Sequence, residues 1–249
     1  MTEAEDRRAR LALTCLDLTN LNDDCTTEDI EALCERAVTP HGHVAANCIW
    51  PQFVARAAEL LDGKPVRIAT VVNFPDGTGD RDSVIAETEA AVADGANEID
   101  LVLPYKRLED DPDFAYDVVA GTRGAAGKAL LKVILETGEL KGEALIRKAS
   151  ELAIDAGADF IKTSTGKVDV NATPEAARIM LAVIADHGGD IGFKPAGGIR
   201  TLDDANLYLD LAAEILGPDW ATPRTFRFGA SSLLDALEGR DGGDTGEGY

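Results

Sequence analysis

Residues 129–165 read ALLKVILETGELKGEALIRKASELAIDAGADFIKTST. The stretch opens on an apolar run, 129–136, interrupted by Lys132, and closes on a second, 159–164, that carries Lys162. Between them Ile146, Ala149, Leu152 and Ala153 recur three and four residues apart, the apolar stripe of a helix over 142–156. Gly157 stands where such a helix stops. A strand, a helix and a second strand at these lengths make a crossover, and strands joined that way run parallel.

The same unit repeats along the whole chain of 249 residues. Strands are expected at 11–18, 43–50, 67–74, 97–103, 129–136, 159–164, 191–195 and 225–229. Several lack clean alternation, as strands covered on both faces do. Helices are expected at 27–38, 51–61, 80–94, 113–124, 142–156, 173–187, 202–216 and 231–238. Thr27-Glu28-Asp29 and Thr173-Pro174-Glu175 supply capping residues and early acids at two helix starts. Gly95 and Gly188-Gly189 end two other helices. Eight strand–helix units predict a closed (β/α)₈ TIM barrel. An open doubly wound sheet would need a glycine-rich nucleotide loop after its first strand, and none follows 11–18. One domain is expected over 1–238, followed by a glycine-rich tail, 239–249, that ends in Tyr249.

The formal net charge is −21, from 45 acidic and 24 basic residues. Such a surface repels phosphate backbones and anionic lipid, so neither nucleic acid nor a membrane is an expected partner. It fits adaptation to high salt or an ordinary acidic cytoplasmic enzyme equally well. No apolar run approaches the roughly 20 residues of a membrane span. The start, with Glu3, Glu5, Asp6, Arg7 and Arg8, lacks a secretory leader, and a cytoplasmic location is expected. Cys15, Cys25, Cys34 and Cys48 form no CxxC pair, and with His41, His43 and His187 they give no zinc-site spacing.

Charges on buried strands need a reason, because an unpaired buried charge costs several kcal/mol. Asp17, Asp100, Lys132, Lys162, Lys194 and Arg227 all lie on expected strands, and most fall toward the C-terminal ends, where barrels assemble chemistry. Lys162 follows an apolar strand start and precedes a polar loop; desolvated beside another cation, it would offer a neutral amine as nucleophile. Lys194, on the next strand, is that second cation, unless acids intervene between the two. Glu98 and Asp100 share one strand face. Asp100 is a candidate proton carrier or a structural counter-ion, and Asp17 a substrate ligand or a turn cap. Cys48 is either a thiol at the rim or a small core residue. His43 and His187 are read as structural. Gly197-Gly198 after the seventh strand, and Gly229-Ala230-Ser231-Ser232 after the eighth, offer backbone N–H groups to a phosphate, with Gly166-Lys167 as a third wall.

The densest motifs are Leu16-Asp17-Leu18-Thr19 with Leu21-Asn22-Asp23-Asp24, Leu131-Lys132-Val133-Ile134 through Glu136-Thr137-Gly138-Glu139-Leu140, Ala158-Asp159-Phe160-Ile161-Lys162-Thr163-Ser164-Thr165-Gly166-Lys167, Gly192-Phe193-Lys194-Pro195-Ala196-Gly197-Gly198, and Arg227-Phe228-Gly229-Ala230-Ser231-Ser232. With them the chain, from Leu11 to Leu237, resembles the class I deoxyribose-phosphate aldolases. The resemblance implies reversible cleavage of 2-deoxy-D-ribose 5-phosphate to acetaldehyde and D-glyceraldehyde 3-phosphate in deoxyribonucleotide catabolism. It implies a Schiff base on Lys162, Lys194 as the cation beside it, and Asp100 in a proton relay. Asp17, Cys48 and Lys167 match residues around the substrate, and Gly166, Gly197, Gly198, Ser231 and Ser232 match the phosphate site. Tyr249 matches a terminal tyrosine that assists proton transfer on the acetaldehyde carbon. Phosphosugar and aldehyde substrates, a homodimer, and no cofactor or metal follow from the same likeness. The residues alone also allow another lysine-dependent phosphosugar aldolase, a transaldolase-like enzyme, an isomerase using Asp100, or a phosphosugar-binding barrel without chemistry.

Overall fold

The computed structural model describes residues 3–188 and 190–239. Its eight main strands are β1 (Leu16–Asn20), β2 (Ala46–Ile49), β3 (Arg67–Val72), β4 (Glu98–Val102), β5 (Leu130–Ile134), β6 (Phe160–Lys162), β7 (Gly192–Lys194) and β8 (Phe228–Ala230). All pair in parallel, in the order β8-β1-β2-β3-β4-β5-β6-β7. Bridges from Phe193 to Phe226 and from Ala196 to Gly229 join the two ends. The sheet therefore closes on itself as a (β/α)₈ barrel and leaves no long unpaired edge.

A helix follows each strand: α2 (Thr27–Arg36), α3 (Val54–Leu60), α4 (Arg81–Ala93), α5 (Pro112–Ala126), α6 (Glu143–Asp155), α7 (Pro174–Asp186), α8 (Leu202–Leu216) and α9 (Leu233–Leu237). Their caps are local chemistry. Thr26, one residue before the expected cap, accepts from the Asp29 amide, while Asp29 accepts from Thr26 in return. Thr173 caps α7 with Pro174 in its first turn. Gly157 takes a φ of 100° just past α6, a conformation that side chains resist.

Three expected strands start late: β1 at Leu16, β2 at Ala46 and β8 at Phe228. Residues 11–14 end an additional helix, α1 (Glu3–Thr14), and β1 begins at Leu16. The run Leu11-Ala12-Leu13 satisfies either reading, because Ala12 and Leu13 are buried from the helix as they would be from a strand. Val38–Thr39 and Gly42–His43 make a small antiparallel hairpin ahead of β2, so His43 lies in that hairpin rather than in a barrel strand.

The barrel interior has two unlike sides. Ile99, Leu101, Leu131, Val133 and Ile161 join the main apolar core under the helices. Alternating with them, Glu98, Asp100, Lys132 and Lys162 point into the barrel, where they bond to one another and to Asp17, Lys194 and Arg227. On β2 and β3 the inward residues are small and apolar: Ala46, Cys48, Ala69 and Val71 form a cluster with Leu21, flanked by Trp50 and Phe74. Among the described residues no helix is long and apolar enough to cross a membrane.

Candidate active site

Seven ionisable side chains meet inside the barrel. Asp17, Glu98, Asp100, Lys132, Lys162 and Lys194 are fully buried, and Arg227 is 4% exposed. The Lys162 ammonium lies 3.0 Å from Asp100 Oδ2, and the Lys194 ammonium lies 2.8 Å from the same oxygen. Lys194 also donates to Asp17 Oδ2 at 2.6 Å. Lys132 donates to Asp100 Oδ1 at 2.8 Å and sits 2.7 Å from Glu98 and 3.4 Å from Asp17. Arg227 reaches up from below β8, forking onto Glu98 at 2.9 and 3.0 Å and onto Asp17 at 2.7 Å. Its place before the strand corrects the expectation that these charges sit toward the C-terminal ends. It closes the lower end of the cluster, while Lys162 and Lys194, paired in register as the last residues of β6 and β7, form the upper end.

Burial alone would raise the Asp17 and Asp100 carboxyls. The surrounding cations more than reverse this: Lys194, Lys132 and Arg227 hold Asp17 well below the usual carboxylate range, and Lys132, Lys194 and Lys162 do the same to Asp100. Lys132 is opposed by burial and held well above the usual lysine range by Asp100, Glu98 and Asp17. Among the described residues, ion pairs within this cluster join three carboxylates to four cations. A barrel built only for stability would fill this space with Val, Ile and Leu, since taking each ion out of water costs several kcal/mol.

Backbone close to the lysines is shaped by two glycines. A Cβ on Gly229 would come within 2.8 Å of Ala196 Cβ and 3.1 Å of Lys194 Cε, so β8 can pass the lysine stem only without a side chain. A Cβ on Gly197 would fall 2.6 Å from Asn171 Cβ. The loops after β6, β7 and β8 stand side by side, and among the described residues the N–H groups of Gly166, Gly198, Ser231 and Ser232 meet no acceptor. Four such donors on three adjacent loops can receive an anion.

A family model described as DeoC/LacD family aldolase matches residues 11–239. The chain belongs to the DeoC/LacD aldolase family. It is 60% identical over 230 residues to the deoxyribose-phosphate aldolase of Agrobacterium fabrum (strain C58), covering 91% of this chain and 89% of that one. A solved structure from Coccidioides immitis is similar at 31% identity and a TM-score of 0.82, covering 92% of this chain and 86% of that one. Another, from Toxoplasma gondii ME49, has 27% identity and a TM-score of 0.86 over 98% of this chain and 100% of that one.

In this aldolase the structure gathers Asp17, Cys48, Asp100, Lys162 and Lys194 at one place; Cys48 Sγ is 3.9 Å from Asp100 Oδ2. The expected second cation is present, but Asp100 lies between the two lysines, so they meet through a shared carboxylate oxygen. Lys167 stands at the rim, 3.0 Å from Asp23 and over the Trp50 ring. Gly166, Gly197, Gly198, Ser231 and Ser232 occupy the three adjacent loops. Tyr249 and the tail from residue 240 lie outside the described residues. Among the described residues, no group of three or more His, Cys, Asp or Glu side chains is placed to hold a metal ion.

Burial pushes the Cys48 thiol up, which suppresses its thiolate. Cys15, Cys34 and Cys48 are buried and Cys25 is partly exposed, with its thiol pushed up to about 11. A bulky disulfide reagent is therefore expected to modify Cys25 alone, slowly, in the native protein, and all four thiols after denaturation. Peptide mapping checks this; rapid native labelling of Cys48 would show an open path to it.

Proposed function

We propose that this chain is a class I aldolase that cleaves 2-deoxy-D-ribose 5-phosphate reversibly into acetaldehyde and D-glyceraldehyde 3-phosphate. The observation that carries the reading is the convergence of the Lys162 and Lys194 amines on one oxygen of Asp100, deep in the barrel. Lys162 is the proposed nucleophile, and Lys194 is the cation beside it on Asp100. Asp100, in contact with both nitrogens, is placed to pass that proton along.

The neutral amine of Lys162 adds to the C1 aldehyde of the open-chain sugar. Loss of water from the carbinolamine gives an iminium ion. A base then takes the C3 hydroxyl proton, the C2–C3 bond breaks, and its electrons neutralise the iminium as an enamine. Glyceraldehyde 3-phosphate departs. Protonation of the enamine carbon, with Tyr249 as the proposed donor, restores an iminium that water hydrolyses to acetaldehyde and free Lys162. The cationic imine is the electron sink throughout. Asp17 and Lys167 are proposed to orient the hydroxyls, Cys48 to bound the apolar side, and Gly166, Gly198, Ser231 and Ser232 to bind phosphate; Gly197, whose N–H donates to the Gly229 carbonyl at 3.4 Å, is proposed to shape that loop. That end supplies binding energy and alignment away from the broken bond.

Borohydride added with acetaldehyde should fix one ethyl group per chain, mapped by mass spectrometry to Lys162. An adduct on another lysine, or none, would refute the assignment. A phosphosugar-binding barrel without chemistry predicts no adduct, and an isomerase working from Asp100 predicts none either.

A further inference from the structure

Glu136 lies two residues beyond β5, and the chemistry above gives it no task. It is fully buried, and its φ of 56° is left-handed, a conformation that Asn73 alone shares among the described non-glycine residues. Such a backbone persists in a side-chain-bearing residue only where its surroundings hold it. Here the loop after β6 holds it. Thr137 N–H donates to the Thr163 carbonyl at 2.9 Å. The Thr165 amide donates to both Glu136 carboxyl oxygens, at 3.2 and 3.3 Å, and the Thr165 hydroxyl donates to Oε2 at 2.5 Å. The two segments are in close contact elsewhere too: a Cβ on Gly138 would lie 1.9 Å from the Val170 carbonyl oxygen.

The direction of these bonds matters. A carboxylate can only accept, so the single hydrogen of the Thr165 hydroxyl is committed to Glu136. The hydroxyl oxygen is then an acceptor on its other side, and the Lys167 N–H donates to it at 3.0 Å. One buried acid thereby fixes both the amide and the hydroxyl of Thr165 and, through the hydroxyl, the amide of Lys167. Gly166, with φ 83°, is pinned between them, and its own N–H meets no acceptor among the described residues. Burial pushes the Glu136 carboxyl up, while its bonds from Thr165 and the nearby Lys162 ammonium draw it back.

We propose that Glu136 is a positioning residue for the phosphate end of the substrate, clamping the Thr165-Gly166-Lys167 turn so that the Gly166 amide faces the anion. The proposal rests on the retro-aldol reading, because it assigns that turn to a phosphorylated sugar. It predicts a selective defect, since a loosened turn weakens phosphate binding while Lys162 keeps its contact with Asp100.

The test compares 2-deoxyribose 5-phosphate with 2-deoxyribose. Glu136→Ala should raise KM for the phosphorylated sugar about ten-fold, the scale of one lost charge-assisted hydrogen bond, with little change in kcat. The kinetic constants for 2-deoxyribose should stay within about two-fold of the parent's, since the lost bond touches only the phosphate end. Glu136→Gln keeps an acceptor oxygen for Thr165 and should recover most of the loss. Thr165→Val cuts the relay at its middle and should reproduce the selective defect, without adding to that of Glu136→Ala. Equal losses on both sugars, a fall in kcat alone, or no rescue by glutamine would overturn the proposal. Should Glu136→Ala not fold, Thr165→Val and Glu136→Gln still decide it. Borohydride trapping of acetaldehyde separates the two ideas, because acetaldehyde carries no phosphate. Absence of an adduct in the parent would defeat the aldolase reading, whereas a normal adduct with an unselective Glu136 variant would defeat only the clamp.

Discussion

Replacing Lys162 by methionine should abolish turnover and leave the protein as stable as before, or more so. Without the amine no iminium forms, and cleavage should fall on the order of 10⁴-fold or more. Stability follows from the pairing inside the barrel. Among the described residues of the cluster, the substitution leaves three cations in contact with the three carboxylates. Asp100 keeps Lys132 and Lys194 as partners. Because Asp17, Glu98 and Asp100 each keep a cationic partner and one ion no longer has to be taken out of water, the unfolding free energy should stay within about 1 kcal/mol of the parent's or rise. Acetaldehyde release and urea titration measure the two halves. Cleavage within about ten-fold of the parent's would rule out Lys162 as the nucleophile, whatever the stability.

The same exchange at Lys132, on the neighbouring strand, should behave in the opposite way. Lys132→Met also leaves three cations and three carboxylates, yet it removes an ammonium held by Glu98, Asp100 and Asp17 together. Breaking a buried ion pair by removing one partner costs about 3–5 kcal/mol. For a chain of this size that lowers the melting temperature by roughly 6–20 °C. A loss under about 1 kcal/mol would mean that water or rearranged neighbours compensate Asp100 and Glu98. The contrast between two lysines on adjacent strands separates an amine placed for reaction from one placed to hold the acids.

The alternation of strand and helix was legible because most units carry at least one local signal, a capping side chain, a terminal glycine or an apolar stripe; 129–165 has the stripe and Gly157. The late start of β1 was ambiguous for a definite reason: Leu11-Ala12-Leu13 is apolar in any conformation, and only the acids before it, Glu3, Glu5 and Asp6, favour a helix start. Asp17, Asp100, Lys162 and Lys194 were legible as charges on buried strands. Their mutual geometry was not, because it depends on strand register: nothing local says that Asp100 stands between two lysines from β6 and β7. Arg227 was visible as a charge but misplaced in height, since a three-residue strand leaves its ends undefined by pattern. Glu136 left a weaker signal, an acid at the very end of the expected strand 129–136, with nothing to set it apart until the strand is seen to stop at Ile134 and Thr165 to bond the carboxylate.

The charged cluster also binds the chain's two ends into one fate. Its members run from Asp17 in the first strand to Arg227 beside the last, 210 positions apart in sequence. A nascent or fragmentary barrel that lacks its final segment leaves Asp17 and Glu98 without their guanidinium, and a dry interior tolerates that poorly. Half-barrels are thus penalised electrostatically, and closing the ring is coupled to neutralising its interior. So distant a contact slows the search for the native state, yet it discourages stable partial structures along the way.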